Sequence, residues 1–174
     1  MTSLPASTLE DLESRGQDVR GLWTRRLFLV ALALVLAAAL LGVLGARSAT
    51  TQAEADGWRL ELEYPSVARP GLDVPFTATV TRDGGFGEKV TLALTGSYLD
   101  LFETQGFHPE PDSTSRDGDL LYLTFEAPPQ GETFTVAYDA YIQPAAQSGD
   151  GGELSIVDQG RRVVTVDFDT RIWP

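Results

Sequence analysis

The chain has 174 residues, room for one modest domain, with no cysteine and a formal net charge of −12. The missing cysteine excludes disulfides, thiolate catalysis and cysteine-ligated zinc or iron–sulfur sites. Residues 1–46 carry four arginines against four acids, so the whole negative charge falls on residues 47–174 and argues against nucleic acid as a partner.

Residues 1–26 read as a short polar tail on the cytoplasmic side of a membrane. Ser7 and Glu10 form a capping-box pattern for a short amphipathic helix through Leu9, Leu12 and Val19, with disorder as the alternative. Between Arg26 and Arg47 every residue is Leu, Val, Ala, Phe or Gly. A helix over residues 27–46 would cross a hydrocarbon core of ~30 Å. Arg15, Arg20, Arg25 and Arg26 precede this run, whereas Arg47 and Arg59 follow it among Glu54 and Asp56, so the N-terminus is expected inside. Thr24-Arg25-Arg26-Leu27-Phe28-Leu29 also resembles a twin-arginine export signal, with Gly45-Ala46-Arg47-Ser48-Ala49 as its cleavage region. The run exceeds the ~7–15 residues of a signal core, which favours a retained anchor. Ala38, Gly42 and Ala46 recur every four residues, a spacing that would let two anchors pack as a helix–helix dimer, although an alanine-rich helix produces it by chance.

Residues 47–56 read as a polar linker, and from Trp58 the apolar period changes to two. Trp58, Leu60, Leu62 and Tyr64 alternate with Arg59, Glu61 and Glu63, the pattern of a half-buried strand. Pro65 punctuates it, and Arg69-Pro70-Gly71 suits a type II turn. Val74, Phe76, Ala78 and Val80 follow. Asp83-Gly84-Gly85 then signals a hairpin into Val90, Leu92 and Leu94. Tyr98 to Phe102 suggests a short edge strand, and 103–118 a long loop. Further alternation covers Leu121 to Phe125, Phe134 to Ile142, and Val164 to Ile172. Leu154 and Ile156 lie between the turn signals Gly149-Asp150-Gly151-Gly152 and Asp158-Gln159-Gly160. Seven or eight strands with such turns predict an all-β, antiparallel two-sheet sandwich over residues 57–174.

With Trp58-Arg59-Leu60-Glu61-Leu62-Glu63-Tyr64-Pro65, Arg69-Pro70-Gly71 and the alternation of the next strand, residues 57–174 resemble the immunoglobulin-like and fibronectin type III-like modules of bacterial surface proteins. The resemblance implies the sandwich architecture. It carries no functional residues, and the paired cysteines of antibody-type domains are missing.

Chemistry is sparse. The single histidine, His108, would need Asp100, Asp112 or Asp117 and a nucleophile to form a hydrolytic site. Acid pairs such as Asp100 with Glu103, or Glu110 with Asp112, are ordinary in so acidic a surface. Asp112 to Asp119 gathers oxygen ligands around Gly118, a composition that calcium favours and that a plain hairpin also uses. No cofactor motif stands out. The expectation is a non-enzymatic, membrane-anchored module that docks an envelope or membrane protein through the 98–118 loop, with Phe102 and Phe107 as exposed aromatics. The alternatives are a calcium- or small-ligand-binding ectodomain, hydrolytic or not, a cleaved exported domain, and a passive spacer.

Overall fold

An apolar run with no polar face has one regular solution, and the computed structural model, which describes residues 19–40, 45–103, 106–128 and 130–173, gives it as a helix. This helix, α1 (Val19–Leu40), begins before the expected start at Leu27 and continues through Arg25 and Arg26, since arginine is a good helix former. Gly45 and Ala46 are not helical, so the expected end at residue 46 moves back. Within α1, Gly21–Leu40 has a mean hydropathy of 1.8 and none of it is buried. The expected tail helix lies outside the described residues, as does Gly42 of the small-residue face. The chain divides into two units, residues 1–44 and 45–174.

The second unit is mostly β. Its strands are β1 (Arg47–Ala55), β2 (Trp58–Ala68), β3 (Asp73–Val74), β4 (Thr77–Arg82), β5 (Lys89–Thr95), β6 (Phe107–His108), β7 (Ser113–Asp117), β8 (Leu120–Glu126), β9 (Thr133–Tyr138), β10 (Ala140–Tyr141), β11 (Asp150–Asp158) and β12 (Arg161–Ile172). A 3-10 helix, Gly96–Leu101, follows β5. Ten strands form one continuous sheet in the order β6-β9-β4-β2-β12-β11-β5-β8-β7, with β1 added on β2, and β3 pairs with β10 as a separate ribbon. The two sheets of the expected sandwich are therefore joined, through two parallel rungs, Val67 with Arg171 and Ala68 with Ile172. The sheet curls around one core: Phe125 of β8 and Phe134 of β9, far apart in strand order, stack with ring centroids 5.4 Å apart.

The alternating strands behave as their pattern requires. Trp58, Leu60 and Leu62 of β2 face inward, as do Phe134, Val136 and Tyr138 of β9 and Val164, Val166, Phe168 and Thr170 of β12. Each such large apolar side chain contributes ~1.5–3 kcal/mol by leaving water. Phe76, Tyr98 and Phe168 form the aromatic centre, the Tyr98 and Phe168 rings meeting edge to face at 4.7 Å.

Several segments depart from expectation for identifiable reasons. The polar linker is strand β1, paired along its length with β2 through a two-residue turn at Asp56 (φ 53) and Gly57 (φ 77), the left-handed pair of a type I′ hairpin. Pro65 does not end β2, because it lies inside the strand and its carbonyl accepts a hydrogen bond from Thr170. Asp83-Gly84-Gly85 is a turn but not a hairpin, since β4 pairs with β2 and β9 while β5 pairs with β11 and β8. The supposed edge strand at Tyr98 to Phe102 is the 3-10 helix followed by a bridge from Phe102 to Ile142. The long loop contains β6 and β7. Asp150-Gly151-Gly152 opens β11 rather than turning, and a Cβ on Gly149 would lie 1.7 Å from the Thr170 carbonyl oxygen, so only glycine permits that approach.

Strand directions define two ends of this unit. The base holds the start of β1 and the ends of β2 and β12, where Arg47, Val67 and Arg171 share one rung. The tip holds the β1–β2 turn, the β4–β5 turn, the β8–β9 connection and the β11–β12 turn at Gln159-Gly160.

Candidate functional site

The residues expected to form a binding loop do not form one. Tyr98 is fully buried, Phe102 is nearly so, and Phe107 packs against the core with its ring 4.6 Å from that of Tyr138. Aromatics in an irregular-looking stretch are inside because the 3-10 helix and the Phe102 bridge close the base of the core. The Tyr98 hydroxyl lies 2.8 Å from Thr170 Oγ1, and Thr170 donates to the Pro65 carbonyl at 2.5 Å. Thr170 has one proton, so Tyr98 is the donor to it. Burial pushes the Tyr98 phenol well above its usual pKa, against the opposing effect of the Thr170 hydrogen bond.

The acidic segment is structural in its contacts. Asp112 faces Lys89 across 3.6 Å, and Ser113 to Asp117 form the edge strand β7. Gly118 (φ 59) and Asp119 turn the chain into β8, and Asp119 accepts hydrogen bonds from the Ser97 amide and hydroxyl, both at 3.1 Å. Among the described residues no three His, Asp or Glu side chains come together as a metal site requires. His108 meets none of the three aspartates considered for it. Its Nε2 lies 2.8 Å from Asp139, with both side chains mostly in solvent. An exposed ion pair of this kind contributes ~0–1 kcal/mol.

Concave surface lies at the tip. A cleft of about 420 Å³ is lined by Glu54, Asp56, Trp58, Arg59, Thr81 and Asp83. Arg59 is held by Glu54 at 2.8 and 3.0 Å, and Arg82 stacks over Trp58 with its guanidinium carbon 4.3 Å from the ring centroid. A second hollow, of about 430 Å³, lies between Gly84 to Phe86 and Pro128 to Glu132. The turns are tied together by Asp83 N–H to the Gly57 carbonyl at 3.0 Å, Arg82 N–H to the Glu132 carbonyl at 2.9 Å and Gly84 N–H to the Glu132 carboxylate at 3.0 Å. This tip is shallow, carries Arg59 and Arg82 beside its carboxylates, and is held by backbone hydrogen bonds. It suits surface recognition rather than enclosure of a small molecule. Sequence reasoning misses it because the expected boundary between the linker, 47–56, and the domain, 57–174, cuts its key turn, Asp56-Gly57, although Asp-Gly is a strong hairpin signal.

No known protein family matches the chain, and no curated protein is similar to it.

Proposed function

We propose that the protein is a single-pass membrane protein, N-terminus inside, whose extracytoplasmic β domain is a non-enzymatic module that docks an envelope or membrane protein. The observation that carries this reading is α1: twenty residues, Gly21–Leu40, are apolar enough to cross a membrane, and none of that span is buried. The arginines before the apolar run set the orientation. Cleavage near Ala49 would remove Arg47 to Ala49, which pair with Val67, Pro65 and Tyr64, so retention of the anchor keeps β1 whole. A leader removed upstream of Arg47 is the second reading, since a signal sequence meets the same test of length and apolarity.

The docking face moves from the 98–118 segment to the tip, where the two clefts and the carboxylates of Asp56 and Asp83 suit a partner presenting basic groups. Ala46 is not helical, so the face of Ala38, Gly42 and Ala46 is not presented by one helix and lateral pairing of anchors is no part of this proposal. We also read the curled sheet as an immunoglobulin-like sandwich whose seam is closed by β2, which pairs with β4 along its first half and with β12 at its end.

The test is a pull-down of the tagged full-length protein from detergent-solubilised native membranes, read by mass spectrometry. A stoichiometric membrane partner, lost when Asp56 and Asp83 are changed to Arg, is the expected result. Unchanged recovery with those variants refutes the tip as the docking face. A soluble chain lacking α1 refutes the anchor.

A further inference from the structure

We propose that the base of the β domain is a membrane-docking surface, with Leu72 and Trp173 seated in the interfacial layer of the lipid bilayer. The proposal rests on the anchored reading above. Among the described residues of this unit only two large apolar side chains are exposed, Leu72 at 43% and Trp173 at 42%. Both are at the base. Trp173 N–H donates to the Ala68 carbonyl at 2.9 Å, one residue beyond the last rung between β12 and β2. Leu72 follows the Pro70-Gly71 turn, where Gly71 has φ 76, and its carbonyl accepts from Ile142 N–H at 3.0 Å.

The backbone at both positions is therefore fixed by the fold, so their exposure is not that of a loose end. Leaving an indole and an isobutyl group in water at one end of a domain whose other described large apolar side chains are buried or half-buried is costly, by ~25 cal/mol per Å² of apolar surface. A tryptophan is the side chain best suited to the headgroup layer, with an apolar ring and one N–H donor. Arg171 of β12 precedes it by two residues, Arg47 of β1 pairs with the same Val67 of β2 as Arg171, and arginine stems can lie on an apolar surface while the guanidinium reaches phosphate.

The tether selects lipid as the occupant. Arg47, the first residue of β1, shares its rung with Val67 and Arg171, so the chain enters the domain at this end. Residues 41–46 separate it from the last described helical residue, Leu40, and extend at most ~20–25 Å. A bilayer holding α1 thus lies within reach of the base at all times and at high effective concentration. The tip is the opposite end of β12, a twelve-residue strand, ~40 Å away. Docking draws on apolar insertion rather than charge, because residues 47–174 carry the whole net charge of −12 and are repelled by anionic lipid.

The native chain has no cysteine, so single-cysteine variants of the full-length protein can each carry one environment-sensitive fluorophore. Leu72→Cys, Trp173→Cys, Arg161→Cys at the tip and Leu34→Cys in α1 are reconstituted into phosphatidylcholine vesicles with and without spin-labelled lipid. Labels at 72 and 173 are expected to shift to the blue and to be quenched several-fold more than the label at 161, with label 34 quenched most. Labels at 72 and 173 as accessible to water and as unquenched as label 161, while label 34 is quenched, overturn the docking and leave the anchor standing. Blue-shifted but unquenched labels at 72 and 173 indicate a protein contact, a second copy included, and also overturn it. An unquenched label 34 refutes the anchored reading itself.

Discussion

Changing Thr170 to Val tests the buried polar contact at the base more sharply than any truncation of the core. Thr170 Oγ1 receives the Tyr98 hydroxyl at 2.8 Å and donates to the Pro65 carbonyl at 2.5 Å, linking the 3-10 helix, β12 and β2. Tyr98 is fully buried and Thr170 is 1% exposed, so water does not replace a lost partner. Tyr98→Phe removes one donor and strands no donor, which costs ~0.5–1.5 kcal/mol. Thr170→Val keeps the shape but strands both the Tyr98 hydroxyl and the Pro65 carbonyl. At ~1–3 kcal/mol for each stranded group the loss is ~2–6 kcal/mol. In the Thr170→Val background, Tyr98→Phe removes a stranded hydroxyl, so its sign reverses and it is neutral or stabilising. Urea unfolding of the full-length protein in mild detergent, followed by near-UV circular dichroism, gives the four values of the cycle. Each kcal/mol corresponds to ~3–5 °C in Tm for a domain of this size. Equal destabilisation by Tyr98→Phe in both backgrounds refutes the chain of hydrogen bonds.

The same tyrosine sets an alkaline limit. Its pKa is raised by burial, so above about pH 10 the unfolded chain loses a proton that the folded chain keeps, and stability falls as pH rises, by up to ~1.4 kcal/mol per unit from this group. The decline between pH 10 and 11.5 is expected to be shallower in Tyr98→Phe; an identical slope refutes the assignment. Gly149→Ala drives a Cβ into the Thr170 carbonyl and is expected to cost more than ~2 kcal/mol, whereas Gly87→Ala, with nothing near its Cβ, is expected to change stability by less than ~0.5 kcal/mol in the same denaturation assay. Asp119→Ala removes the acceptor for two Ser97 donors and is expected to lower stability by ~1 kcal/mol, with or without calcium. A calcium-dependent thermal shift abolished by Asp117→Ala would instead restore the segment as an ion site.

What the sequence disclosed follows from which faces are buried. Strands β2, β4, β9 and β12 each press one face on the core, so their apolar residues recur every second position and are legible. β1 lines its partner with Ala49, Thr51 and Ala53 rather than large apolar groups, and β7 is exposed along its whole length, so neither shows a period. Turn residues state that the chain bends, not which strand it joins next. Asp83-Gly84-Gly85 therefore reads as a hairpin although it carries the chain from one arm of the sheet to the other. The acidic segment shows the reverse problem: its composition suits a cation, but Asp112 and Asp119 are already engaged, by Lys89 and Ser97. The tip clefts depend on the approach of three connections distant in sequence, a product of topology that no local pattern encodes.

The anchor is the premise beneath the rest, and the intact mass of the protein recovered from native membranes after an alkaline carbonate wash tests it most directly. The account predicts a membrane-retained chain that includes α1, Val19–Leu40, whole. A soluble chain whose N-terminus falls between Leu40 and Ala49 would contradict it.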